Sequence, residues 1–158
     1  MVYLVIAIDG FQHGSGPFFP KCVAIEEAKS GINKTAILNL PDEALDEFYF
    51  DKIVANTFYF QKLMHGLDPE QRGISRYHVP GIIDDIVKKA SESFVREAQN
   101  FCYAKGKNIF PIVNMYKESS CLFRGRVVDV ENIGSPSIKK LGFERRPVIT
   151  ANKASAIA

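Results

Sequence analysis

Apolar residues run almost without a break from Val2 to Ile8, mostly β-branched and aliphatic, which predicts a buried strand over residues 2–9. A Gly/His/Ser/Pro turn from His13 to Pro17 separates it from a second strand over 18–27. Ser30-Gly-Ile-Asn33 reads as the next turn and 34–40 as a third strand. Three strands joined by short turns make an antiparallel meander, because hairpins need no crossover segment.

Beyond Pro41 the apolar period lengthens. Pro41-Asp-Glu is the chemistry of a first helical turn, and Leu45, Phe48, Tyr49, Ile53, Phe58 and Phe60 follow, with a break expected at Asn56-Thr57. Residues 66–73 read as a polar loop. Val79, Ile82, Ile83, Ile86, Val87 and Ala90 keep helical spacing, with Asp84, Asp85, Lys88 and Lys89 assigned to the outer face. Strands are expected at 101–104 and 126–130, a short helix at 109–116, a capped turn at 135–141 and the start of a last helix at 151–158. Glu26-Glu27 reads as an exposed strand end. Neither internal repeat nor linker divides residues 1–158, so a single domain is expected.

Composition changes this picture little. The 158 residues can bury roughly 70% of the surface of the unfolded chain, and 46% hydrophobic with 24% charged residues is ordinary for a globular domain. A net charge of +2 does not advertise nucleic-acid binding, although it leaves room for a local basic patch. No apolar run is long enough for a membrane span, and the N-terminus lacks the pattern of a signal peptide, so an intracellular protein is expected. Cys22, Cys102 and Cys121 are widely spaced and odd in number, which favours reduced thiols over disulfides or a zinc site.

A meander followed by helix, strand, helix, strand is the element order of the ribonuclease H-like fold, a mixed five-stranded sheet flanked by helices in an α/β domain. Particular residues strengthen the likeness. The first strand ends in Ala7-Ile-Asp9, and His65-Gly66-Leu67 forms a turn before the central helices. Lys105-Gly-Lys-Asn-Ile-Phe110 follows a short strand, and the segment Asp129–Leu141 closes the pattern. The chain resembles a divergent DEDD-type 3′–5′ exonuclease, and is similar to the degenerate exonuclease-like Maelstrom domain of RNA-silencing proteins. The resemblance implies a two-metal nuclease site at the strand ends and a nucleic-acid backbone path beside it.

The departures from that pattern carry more chemistry than the matches. Two divalent ions need about four converging carboxylates to offset their charge. Ala7 stands where the first acid would be, Asp9 is a shortened second, Pro111 follows Phe110 where an Asp is required, and no Asp or Glu lies beyond Glu144. A catalytically degenerate domain without a cofactor is therefore expected, with Asp9 and Asp129 as residual candidates. An alternative acid set of Asp9, Glu47 and Asp129 would suit an active nuclease using Mg2+ or Mn2+. Against it, Asp9 before Gly10 also suits a turn, Glu47 belongs to an acidic helix N-terminus, and Asp129 alternates with Val130 as in a strand with one wet face.

Binding residues are sought elsewhere. Lys105, Lys107, Arg124 and Arg126 crowd the predicted strand ends, where single-stranded RNA would be held, and Phe11, Phe18 and Phe19 offer rings for base stacking. The triplets Phe48-Tyr-Phe50 and Phe58-Tyr-Phe60 carry more rings than one helix face can bury. Phe48, Tyr49, Phe58 and Tyr59 are accordingly candidates for an interface with a protein partner or a second copy.

Overall fold

The computed structural model describes residues 2–93, 100–104, 109–123 and 126–129. The elements in chain order are β1 (Val2–Phe11), β2 (Phe19–Glu27), β3 (Asn33–Ile37), α1 (Asp42–Phe50), α2 (Lys52–His65), a 3-10 turn (Arg76–His78), α3 (Val79–Ser93), β4 (Asn100–Ala104), α4 (Phe110–Ser119) and β5 (Arg126–Asp129).

β1 is apolar nearly throughout because both of its faces are covered. Val2, Leu4, Ile6 and Ile8 on one face join Val23, Ile25, Ala36 and Leu38 against Val79, Ile83, Ile86, Val87 and Ala90 of α3 and Val113 and Tyr116 of α4. A second core lies towards the end of β1, where Phe11, Phe19, Cys22 and Leu40 pack with Ala44, Val54, Phe58 and Leu67. The register of β1 on β2 slips between Asp9 and Gly10. Gly10 approaches β2 so closely there that a Cβ would stand 2.0 Å from the carbonyl oxygen of Phe19. Only glycine fits this bulge.

The architecture corrects the expectation of a ribonuclease H-like domain built on a mixed five-stranded sheet. Among the described residues, the body of the structure is a three-stranded antiparallel sheet, β3-β2-β1, with four α-helices. β4 and β5 continue along the free edge of β1, parallel to it, as strands of only five and four residues. Hairpin strands pair through short turns, whereas each parallel addition requires a crossover, and here it closes over about half the length of β1. The closing helical segments expected at 135–141 and 151–158 lie outside the described residues.

Four local expectations are also revised. The third strand ends at Ile37, since Leu38 turns to bridge Ile74 and the Asn39 amide donates to the Ile74 carbonyl at 2.9 Å. The helix break falls at Asp51 and not at Asn56-Thr57. Asp51 caps α2 by accepting from the amides of Ile53 and Val54, while the Thr57 hydroxyl donates to the Ile53 carbonyl and stays inside the helix. Glu27 is fully buried, and its carboxylate accepts from the amides of Tyr3, Lys29 and Ser30, tying the β2–β3 turn to β1. Asp84 does not sit on an outer face. Its carboxylate accepts from the Ser120 hydroxyl and from the amides of Cys121 and Leu122, fixing the turn after α4.

Candidate functional site

The α1–α2 hairpin builds a helix with two unlike sides. On the side turned to the sheet, Val54 and Phe58 are buried, and Phe58 lies 5.1 Å from Phe11 and stacks on Phe48 at 6.0 Å. One and two turns on, Gln61 and His65 replace apolar contact with hydrogen bonds to the end of β1. The Gln61 amide accepts from the Gln12 amide at 2.9 Å and donates to the Gln12 carbonyl at 2.5 Å, completing the strand edge as a neighbouring strand would. His65 Nε2 donates to the Gly10 carbonyl at 2.8 Å, while Nδ1 accepts from the Leu67 amide at 3.1 Å. Those two partners select the neutral Nε2–H tautomer. Gly66, at φ 75°, ends the helix in the left-handed region.

The opposite side is apolar too, and it is open. Ile53, Asn56, Phe60 and Leu63 lie at a 3-4-3 spacing along one line of the helix, and all four are exposed. Ile53 and Phe60 are each 67% exposed and Leu63 62%, while Phe50, at the end of α1, reaches 87%. Tyr49, Tyr59 and Met64, each more than half exposed, widen the stripe. Phe60 stands about 200° round the helix from Phe58, so no rotation of α2 buries both.

A polar network borders this face. Lys21 is buried in β2 at the bulge, and its ammonium donates to the Gln71 carbonyl. Desolvation lowers its pKa, partly opposed by the charge of Asp68. The Asp68 carboxyl is held below its usual range, chiefly by the Glu70 amide and then by Lys62, whose ammonium stands 3.2 Å away. The Tyr49 phenol is raised, first by desolvation and then by the Glu70 carboxylate that accepts its hydrogen bond. These contacts anchor the 66–73 loop beside the open face.

The residues singled out from sequence scatter. Asp9 is half-buried in β1, opposite Cys22 at the bulge, whereas Glu47 is exposed on α1. Asp129 is in register with Ala104, and Ala104 with Ile6, three residues short of Asp9. Among the described residues no group of three or more His, Cys, Asp or Glu is placed to hold a metal ion. Lys105, Lys107 and Arg124 lie outside the described residues, and Arg126 is described only as the first residue of β5. Phe11 and Phe19 are buried in the second core and Phe18 packs against the first, so this set is not an open stacking platform.

The aromatic triplets divide by helix face. Phe58 is buried and Phe48 is half-buried against the second core, while Tyr49, Phe50, Tyr59 and Phe60 remain open. Sequence reasoning missed Leu63 and Met64 and placed Ile53 in the helical apolar series without assigning it a face. The available signal was two apolar lines on one helix, 54/58 and 53/60/63, where a surface helix needs only one.

No known protein family, curated protein or solved structure matches this chain. The exonuclease resemblance therefore rests on its motif residues alone. Among the described residues no helix is long and apolar enough to cross a membrane.

Proposed function

We propose that this chain is a protein-binding domain that docks through the outer face of the α1–α2 hairpin. The observation that supports this reading is the bifacial α2. A helix apolar all round belongs in an interior, and this chain leaves the side carrying Ile53, Phe60 and Leu63 open. Exposed apolar area on this scale marks interaction surfaces, and rings such as Tyr49, Tyr59 and Phe60 are typical anchors of them.

A photo-crosslinking side chain placed at Tyr59 tests the reading in cells. Covalent adducts joining two protein chains should form at position 59 and not at Glu118, which is exposed on α4 away from the hairpin. Adducts confined to the same chain, or equal yields at both positions, would overturn it.

A further inference from the structure

We infer that the occupant of this face is a second copy of the same chain, with the two α2 helices packed antiparallel about a twofold axis. The inference rests on the protein-binding reading above and names its partner. Three features of the face select a copy of itself.

The first is area. Taking ~150–250 Å2 for an aromatic ring and about 150 Å2 for an aliphatic side chain, the four rings Tyr49, Phe50, Tyr59 and Phe60 with Ile53, Leu63 and Met64, all at half or more exposure, open roughly 800 Å2, about the per-partner area of a standard interface. The second is the line of Ile53, Asn56, Phe60 and Leu63, whose 3-4-3 spacing reads the same in both directions. Reversing one helix sets Ile53 against Leu63 of the other copy and Asn56 against its Phe60, so every line position meets another. The third is chemistry. None of the line positions is charged, so the face matches its own image, as an isologous contact requires. Asn56 is its one polar member.

Molar mass by light scattering and sedimentation over a dilution series reads the association directly. The wild-type chain should be a dimer, and Phe60→Arg and Leu63→Arg should each raise its dissociation constant roughly 100-fold, because a guanidinium would be buried without a partner. Both positions are more than 60% exposed, so unchanged circular dichroism and melting temperature are expected of the variant chains. A wild-type chain that stays monomeric up to about 100 μM, the range of weak interfaces, would overturn the inference.

Orientation is tested in a Cys102→Ser/Cys121→Ser background, which removes Cys121, exposed among the described residues, and Cys102 of β4. Mixing an Ile53→Cys chain with a Leu63→Cys chain should give the mixed disulfide across the axis. Two Ile53→Cys chains should not join, since antiparallel packing holds those positions ~15 Å apart, beyond disulfide reach. Efficient joining of Ile53→Cys with itself would overturn the antiparallel arrangement. A monomer that still forms adducts to other proteins at position 59 would remove the second copy and leave the protein-binding reading. No intermolecular adduct at all would remove both.

Discussion

The two sides of α2 carry similar residues to opposite ends. Val54 and Phe58 are sealed against Phe11 and Phe48, and Gln61 and His65 complete the hydrogen bonding of β1. Ile53, Phe60 and Leu63, no less apolar, are left exposed among the described residues. The inner side shows what folding spends its apolar residues on, and the outer side what is kept for association. Hydropathy by itself does not separate the two. Position on the helix relative to the sheet does.

The comparison breaks most sharply at the paired rings. Phe58→Ala should cost ~3–5 kcal/mol of stability by opening a cavity in the second core. Phe60→Ala, measured by denaturation at a dilution that keeps the chain monomeric, should fall within about 0.5 kcal/mol of wild type. Equal costs at the two positions would show that α2 has one environment and not two.

A buried ring on the other face of the sheet sharpens the contrast through pH. Burial pushes the Tyr116 phenol up to about 12 from 10.0, with Arg76 opposing. The unfolded chain releases this proton first, so the contribution is complete below pH 10 and is lost as pH climbs to about 12. The loss amounts to about 2 kcal/mol. Lys21 works in the opposite sense, since its lowered pKa means that stability is gained as pH rises towards 10.5. Urea melts of wild type and Tyr116→Phe isolate the tyrosine, and the two stabilities should converge or cross as pH rises. Parallel curves would refute the assignment.

Polar members of the two sides should differ as well. Gln61→Ala leaves the amide and carbonyl of Gln12 without their side-chain partner, at a cost of ~1–2 kcal/mol in the monomer. Asn56→Ala, on the open line, should leave monomer stability unchanged or slightly raised through better helix propensity. Chemical denaturation of both variants checks the pair.

The smallest expected effect concerns the scattered acids. Purified chain with Mg2+ or Mn2+ should leave labelled single-stranded RNA and DNA uncut, and Asp9→Asn should change nothing. Cleavage abolished by that substitution would restore an active site at the end of β1.

Much of the local structure was legible because it depends on local chemistry. The meander follows from the short turn at 13–17 and the one at 30–33, and α3 from a 3.6-residue apolar period that its buried residues keep. The break at Asp51 was misread, because both a Thr inside a helix and an Asp before one compete for backbone, and only the realised hydrogen bonds say which wins. Glu27 and Asp84 looked like surface acids. Their buried or capping roles depend on amides of Tyr3, Cys121 and Leu122, far away in sequence.

The candidate site was half legible. The count of rings in 48–60 required that some stay outside the core, since neighbours on a helix diverge. The count of rings selects no particular one. The same holds for Asp9 and Asp129, where composition supplies two strand carboxylates but register decides whether they align, and it sets them three residues out of line. The strands, the helices and an excess of apolar residues follow from the pattern along the chain, because periodicity and turn chemistry act within a few residues. Tertiary structure alone decided which side of α2 met the sheet, because burial depends on what the rest of the chain places opposite, and Phe11, Phe48 and the edge at Gln12 claimed the side of Phe58.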